Sequence, residues 1–231
     1  MTKLLLIEGI PGAGKTTLAA KAARHCEGAG RRVKLYPEGC EKWPNLRRTK
    51  PGLYEGKSSD KAFFKWHEAC WRRFGRGAAR RDTLHVFESA LLQLHLNEML
   101  LWRDTDEETM LAHCARLADT VRQLSPVLIY LSPPDIRRVS EERAWPDGAR
   151  WIDFVVDYIE NSAYGKKNGA RGFDGATEYF ALRKALELKA LGRLGLPYAI
   201  IDNPDYDWDN VWQKIEAFAG NYVEGVTPCP N

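Results

Sequence analysis

The residues nearest to recognisable chemistry lie close to the amino terminus, where glycines, a lysine and a threonine stand at a fixed spacing. The segment is Gly9-Ile10-Pro11-Gly12-Ala13-Gly14-Lys15-Thr16, or Gly-x-x-x-x-Gly-Lys-Thr. Such glycines let successive backbone N–H groups face a phosphate, beside the positive end of the following helix. The lysine of this pattern reaches the β- and γ-phosphates, and the threonine hydroxyl ligates Mg²⁺. The residues predicted to bind a nucleoside triphosphate are Gly9, Pro11, Gly12, Ala13, Gly14, Lys15, Thr16 and Thr17.

Two glutamates follow predicted strands near this loop. Glu38 comes after the second strand and Glu88 directly follows the third. In a doubly wound parallel sheet, ligands gather outside the carboxyl ends of the strands. Phosphoryl transfer needs a carboxylate there, either to receive a proton from the acceptor or to hold Mg²⁺. We therefore predict Glu38 and Glu88 as site residues, with Thr16 and Glu88 at the metal; the alternative is that either glutamate is merely solvated.

The elements that must position these residues alternate along the chain. Apolar runs predict strands over residues 4–7, 32–36, 83–87, 127–131 and 198–201. Helical spacing marks residues 17–23, 62–74, 90–102, 107–124, 179–194 and 208–219. This alternation predicts an α/β fold in three layers, with a five-stranded parallel sheet and helices on both faces.

The motifs together resemble those of P-loop nucleoside and nucleotide kinases, especially the deoxynucleoside kinase and thymidylate kinase group. In deoxynucleoside kinases a glutamate after the second strand is the general base, and a tryptophan a few residues later lines the substrate pocket. The resemblance thus implies Glu38 as base, with Trp43 and Glu88 also facing the substrate. The group's Glu-Arg-Ser motif is here Glu88-Ser89-Ala90, so its arginine is missing.

Kinases of this type also close an arginine-bearing lid over the transferring phosphoryl group. Residues 135–143 follow the fourth strand, where the group places its lid, and contribute Arg138 and Arg143. The basic, glycine-punctuated residues 165–172 are the competing stretch. Chain position favours the first. We place the lid region at about residues 133–176 and a variable substrate region at about 44–80, with Tyr54, Trp145 and Trp151 available to stack on a planar substrate.

Length and composition bound the remaining expectations. The 231 residues suit one domain over 1–231, and the formal charge of +3 gives no reason to expect nucleic acid as an obligate partner. Five cysteines without close spacing indicate neither a disulfide framework nor a metal cluster. No stretch has the length of a signal peptide or membrane span, so we expect a cytoplasmic protein. The sequence leaves open whether the protein forms a homodimer.

Three classes of function compete. The first is an ATP- and Mg²⁺-dependent kinase that phosphorylates a hydroxyl of a nucleoside-like compound, another small metabolite or an antibiotic; Glu38 as base favours it. A thymidylate-like nucleoside monophosphate kinase is the variant that would need several arginines around the acceptor phosphate. The others are a regulatory P-loop NTPase and a nucleotide-binding protein without catalysis. The sequence contains neither the Asn/Thr-Lys-x-Asp of GTPases nor the apolar-Asp-Glu run of motor ATPases.

Overall fold

The strands form where the sequence predicts them; the three inner strands are buried throughout, whereas the two edge strands are largely exposed. The computed structural model describes residues 1–39, 52–142, 149–202 and 207–219. Its strands are β1 (Leu4–Gly9), β2 (Val33–Tyr36), β3 (Leu84–Glu88), β4 (Val127–Leu131) and β5 (Tyr198–Ile201). They pair in parallel in the order β2-β3-β1-β4-β5. The predicted five-stranded parallel sheet is confirmed.

Helices occupy the connections between the strands. They are α1 (Lys15–Gly28), α2 (Asp60–Ala79), α3 (Gln93–Trp102), α4 (Glu107–Asp119), α5 (Ile136–Glu142), α6 (Ala149–Glu160), α7 (Ala163–Asn168), α8 (Gly172–Leu191) and α9 (Trp208–Ala219). The predicted helix over 107–124 ends earlier, at Asp119, and a short 3-10 helix follows at Arg122–Leu124. Within the described ranges, no helix is long and apolar enough to cross a membrane.

Residues 149–178 contain helices that the sequence analysis does not predict. Helix α6 buries Ile152 and Ile159, while Asp153 and Asp157 stay exposed, so its amphipathic pattern is present but short. Helix α8 begins at Gly172, seven residues before the predicted start. Gly175 lies in this first part of α8, and a Cβ there would lie 2.9 Å from the backbone of Ala170. Gly175 therefore serves close packing of the helix and does not mark a loop.

Two apolar clusters cover the two faces of the sheet. Since side chains alternate along a strand, Leu4 and Leu6 of β1 belong to one cluster, and Leu5 and Ile7 belong to the other. The first cluster, on the face of Leu4, includes side chains of α2, α3, α4 and α8, and the second includes side chains of α1 and α9. The predicted three-layer arrangement is therefore confirmed.

Three histidines are buried together in the layer that contains α2, α3 and α4. The ring centroids of His67 and His95 are 4.5 Å apart, and those of His95 and His113 are 5.4 Å apart. Both ring nitrogens of His67 are buried without a hydrogen-bond partner in the described structure. Burial lowers the pKa of His67 and of His113 to about 3 each, and that of His95 well below its usual value. The cluster is therefore neutral in the folded protein near pH 7.

Replacement of His67 should change how stability depends on pH. The folded-state pKa of about 3 lies below the ordinary 6.5, so the unfolded chain binds the extra proton as pH falls below 6.5. Lowering the pH from 7.5 to 5 therefore reduces the free energy of unfolding by about 2 kcal/mol. In His67→Leu, which has a side chain of similar volume, the free energy of unfolding should fall by about 2 kcal/mol less than in the wild type over this pH range. Urea denaturation at both pH values tests this, and parallel losses in the two proteins would contradict it.

Candidate active site

The phosphate loop connects β1 to α1 at the carboxyl end of the sheet, and its shape depends on two close approaches. Gly9 has a φ of 140°, and a Cβ there would lie 2.4 Å from the carbonyl oxygen of Leu131 in β4. Gly14 has a φ of 88°, and its Cβ would lie 2.2 Å from the Trp208 ring of α9. Both the backbone conformation and the lack of space therefore require glycine at these positions.

Lys15 begins α1 and folds back across this loop. Its ammonium group is buried and donates a 2.9 Å hydrogen bond from Nζ to the carbonyl oxygen of Ile10. Burial lowers the pKa of Lys15, while the charges of Glu38 and Glu88 oppose this shift. The lysine is thus held inside the loop and faces the two glutamates that the sequence predicts as site residues.

Glu88 joins the phosphate loop to the end of β2. It is 2% exposed at the end of β3. The hydroxyl of Thr16 donates to its Oε1 at 2.6 Å, and the backbone N–H of Glu38 donates to its Oε2 at 3.2 Å. A hydroxyl and a carboxylate in contact are the hard oxygen donors that Mg²⁺ prefers.

Glu38 is exposed and receives a hydrogen bond from an amide that sequence analysis missed. Nε2 of Gln93, the first residue of α3, donates to Oε1 of Glu38 at 2.5 Å. The start of α3 is in turn held by Glu8 of β1, which accepts from the backbone N–H groups of Leu91, Leu92 and Gln93. A charged residue in an otherwise apolar strand, directly before the phosphate loop, is the signal that could have identified Glu8.

A cavity of about 480 Å³ opens beside Glu38. Its volume is that of a small-molecule site. The residues lining it are Pro11, Glu38, Tyr54, Glu55, Gln93, Leu94, Asn97, Glu98, Leu101, Trp151, Phe154, Val155, Tyr158, Ile159, Tyr179, Phe180 and Arg183. Tyr54 and Trp151, which we predicted could stack on a substrate, both line it. The α6 and α8 side chains, which form most of its aromatic surface, were otherwise not predicted.

The other predicted residues are distributed differently. Trp43, Arg143 and Trp145 lie outside the described residues. Arg138 is exposed on α5, where its backbone N–H donates to Asp135. Its role in a lid stays a prediction.

The competing lid stretch, residues 165–172, is mostly helical. It includes the end of α7, where Lys167 forms a 2.6 Å ion pair with Asp104, and the first residue of α8. Ser89 occupies the position of the arginine in the resembled motif and is fully buried, with a φ of 56°. Arg183 of α8 is instead the only cation among the described residues that line the cavity.

Comparison with known proteins finds similarity to solved structures alone. No protein-family model and no curated protein matches the chain. Similar structures include the YorR protein of Bacillus subtilis in complex with phosphorylated GDP, thymidylate kinase of Candida albicans, and shikimate kinase of Acinetobacter baumannii in complex with shikimate. Their sequence identities are 14%, 16% and 14%, with TM-scores of 0.47, 0.48 and 0.48. The alignments cover 94%, 94% and 97% of this chain and 95%, 92% and 97% of those chains.

The geometry of the chain itself establishes the type of fold. A phosphate loop of the predicted sequence connects the first strand to the first helix, at the carboxyl end of a five-stranded parallel sheet. The fold is therefore the predicted three-layer α/β fold, with a phosphate loop at the carboxyl end of its parallel sheet. Because one fold supports several chemistries, the activity has to be inferred from the site residues.

Gly14→Ala should weaken nucleotide binding, because the added methyl group would displace Trp208 or the loop and alanine disfavours a φ of 88°. We expect a lower melting temperature and at least about a tenfold loss of affinity for ATP, equivalent to about 1.4 kcal/mol. Calorimetric titration and thermal denaturation measure both effects. Gly28→Ala is the matched control, since a Cβ at the end of α1 meets nothing within 4 Å. Wild-type affinity in Gly14→Ala would rule out this description of the loop.

Proposed function

We propose that the protein is an ATP-dependent phosphotransferase that phosphorylates a hydroxyl group of a small acceptor molecule bound in the cavity. The observation that carries this proposal is that Glu38 both contacts a residue bonded to the phosphate loop and lines the cavity. Its backbone N–H donates to Glu88, which contacts Thr16 of the phosphate loop, while its own side chain lines the cavity. A carboxylate at this junction can act on an acceptor in the cavity and on a phosphoryl group held by the loop.

The loop residues fit a triphosphate with Mg²⁺. Gly9, Gly12 and Gly14 all have positive φ, which suits a turn that offers backbone N–H groups to an anion. Lys15 would bind the β- and γ-phosphates, and Thr16 and Glu88 would hold the metal directly or through water. Bound Mg²⁺ would stabilise the negative charge that develops on the transferring phosphoryl group.

Glu38 is the proposed general base. The amide of Gln93 binds one carboxylate oxygen and so orients the group, leaving the other oxygen for the acceptor. The acceptor hydroxyl gives its proton to Glu38 as its oxygen bonds to the γ-phosphorus. The bond between that phosphorus and the β–γ bridging oxygen breaks, and ADP leaves. In this proposal the phosphate loop would hold the nucleotide and Glu38 would accept the proton.

The carboxylate of Glu38 at the cavity favours a hydroxyl acceptor over a phosphate acceptor. Three carboxylates line the described part of the cavity, those of Glu38, Glu55 and Glu98. The cation that lines it, Arg183, is already paired with Glu187 at 3.1 Å. Glu98 is paired with Arg103 and Glu55 with Lys57, so Glu38 is the carboxylate left for an acceptor. A hydroxyl acceptor requires the base that Glu38 would supply.

Acceptor-dependent release of ADP tests the proposed function. The wild-type chain with ATP and Mg²⁺ would be assayed against nucleosides, nucleoside monophosphates and hydroxylated antibiotics. We expect at least one hydroxyl compound to stimulate ADP release and to gain the mass of one phosphoryl group. Lys15→Ala should remove this stimulation, because it removes the charge that compensates the β- and γ-phosphates. No stimulation by any compound would favour a regulatory NTPase or a non-catalytic nucleotide-binding protein, and stimulation by monophosphates alone would favour a nucleoside monophosphate kinase.

Glu38→Gln should separate catalysis from nucleotide binding. The amide cannot take the acceptor's proton, so we expect kcat to fall by about 10²- to 10⁴-fold. The Kd for ATP should stay close to that of the wild type. Glu55→Gln is the matched control, because Glu55 lines the same cavity but is ion-paired with Lys57. If Glu38→Gln kept the wild-type kcat, Glu38 would not be the base.

A further inference from the structure

Helix α2 carries a row of basic side chains on the face that points away from the core. Its opposite face is buried and includes Phe63, His67 and Trp71. The exposed basic residues of α2 and its C-terminal cap, which we call the α2 basic stripe, are Lys61, Lys65, Arg72, Arg73, Arg76 and Arg80. From the rotation and rise of an α-helix, this stripe covers an arc of roughly 120° and a length of about 28 Å.

The cations of the stripe are left without partners. None of the six side chains forms an ion pair or a hydrogen bond within the described residues. The two acidic residues of α2 are already paired with cations of other elements, Asp60 with Arg103 at 3.1 Å and Glu68 with Arg116 at 2.7 Å. The stripe therefore presents its positive charge to the solvent without compensation.

The net charge of the whole chain conceals this local excess. The formal charge is +3, whereas the stripe alone contains six cations, so the remainder of the chain is net acidic. A surface of one sign attracts an extended ion of the opposite sign even when the total charge of the protein is small. The low net charge thus excludes a uniformly basic surface, but it does not exclude a local site for a polyanion.

The stripe is separate from the candidate active site. None of its residues lines the described part of the cavity. Arg80 lies four residues before β3, so the stripe ends at the amino end of the sheet, whereas the phosphate loop lies at the carboxyl end. Transfer of a phosphoryl group to a small acceptor therefore makes no use of this surface.

The chemistry of the stripe fits the phosphates of a nucleic acid better than a lipid surface. Four of its six cations are arginines, whose planar guanidinium groups bind phosphate oxygens in pairs. A helix that lies on a membrane inserts apolar side chains between the lipids. None of the large apolar side chains that are exposed in the described chain belongs to α2. The stripe thus offers charge to a phosphate backbone and no large apolar group to a lipid layer.

We propose that the α2 basic stripe is a docking surface for the phosphate backbone of duplex DNA. Duplex DNA carries one negative charge per about 1.7 Å of its axis, so a straight stripe of about 28 Å can face several phosphates at once. Recognition of duplex RNA also uses contacts to 2′-hydroxyl groups across its minor groove, whereas this stripe offers positive charge alone. Contacts to phosphates carry no sequence information, so the binding should not depend on the base sequence.

Three arginines of the stripe lie four positions apart and can be neutralised together. Arg72→Gln/Arg76→Gln/Arg80→Gln removes three exposed charges, and glutamine is compatible with a helix. Arg72→Lys/Arg76→Lys/Arg80→Lys keeps the charge and serves as the conservative variant. Melting temperatures close to that of the wild type would show that both variants are folded.

A matched control removes the same net charge from another part of the surface. Lys167→Gln/Lys189→Gln/Arg193→Gln neutralises three exposed cations, each of which is ion-paired with a carboxylate. Exposed pairs of this kind add little to stability, so the control should also stay folded. A loss of DNA affinity that is specific to the stripe can thus be distinguished from an effect of net charge.

Binding to a fluorescent DNA duplex of roughly 20 base pairs and mixed sequence, followed by anisotropy between about 50 and about 200 mM salt, tests the proposal. We expect the wild type and the control to bind with a Kd on the order of 10 µM or below at the lower salt concentration. The glutamine variant should bind at least about tenfold more weakly, and its slope of log K against log salt should be smaller by about 2 to 3. The lysine variant should keep the wild-type slope.

Several results would overturn the proposal. These are the absence of duplex binding by the wild type, an equal loss of affinity in the glutamine variant and the control, and a strong preference for one base sequence. Tighter binding to duplex RNA of the same length, to phosphatidylserine vesicles or to polyglutamate would assign the stripe to another kind of partner and would overturn it as well. Because the measurement uses neither ATP nor an acceptor, its outcome is independent of the proposed phosphoryl transfer.

Discussion

One buried carboxylate, that of Glu8, fixes the phosphate loop relative to the cavity beside Glu38. Glu8 is fully buried in β1 and accepts hydrogen bonds from the N–H groups of Leu91, Leu92 and Gln93. These donors are among the unpaired groups at the start of α3, where a helix dipole favours negative charge. Since the phosphate loop begins at the next residue, Gly9, these bonds tie the loop to α3. Gln93 and its partner Glu38 are therefore positioned with respect to Lys15.

The same burial gives Glu8 a proton affinity unlike that of a surface glutamate. Burial, and then the charge of Glu187, raises the pKa of Glu8 to about 7, although the three backbone N–H groups lower it. Because the folded-state pKa is above the ordinary value of 4.5, Glu8 contributes more to stability when protonated, and this contribution is lost as pH rises through about 7. The buried histidines act in the opposite direction. The fold therefore contains two sets of buried groups whose effects on stability oppose each other between pH 5 and pH 7.

Features governed by local sequence were predictable, and those governed by distant contacts were not. The phosphate loop and Glu88 follow from a short motif and from the rule for strand ends, and the structure brings Lys15, Thr16, Glu38 and Glu88 together. Their catalytic roles stay predictions. Gln93 could not be connected to Glu38 because 55 positions separate them. Arg183 resembles a surface residue in a helical pattern, and only the packing of α8 against β4 and α3 shows that it is buried. The helix at α6 was missed because its flanking segment is rich in arginine and glycine.

The two halves of the site thus have different physical origins. The phosphate loop depends on backbone conformation, through glycines at which a side chain would collide with β4 or α9. The cavity is lined mainly by side chains of α3, α6 and α8. A buried pair such as Arg183 and Glu187 seldom adds stability over apolar residues of the same volume. Stability alone therefore does not account for a buried charge pair on the face of α8 that lines the cavity.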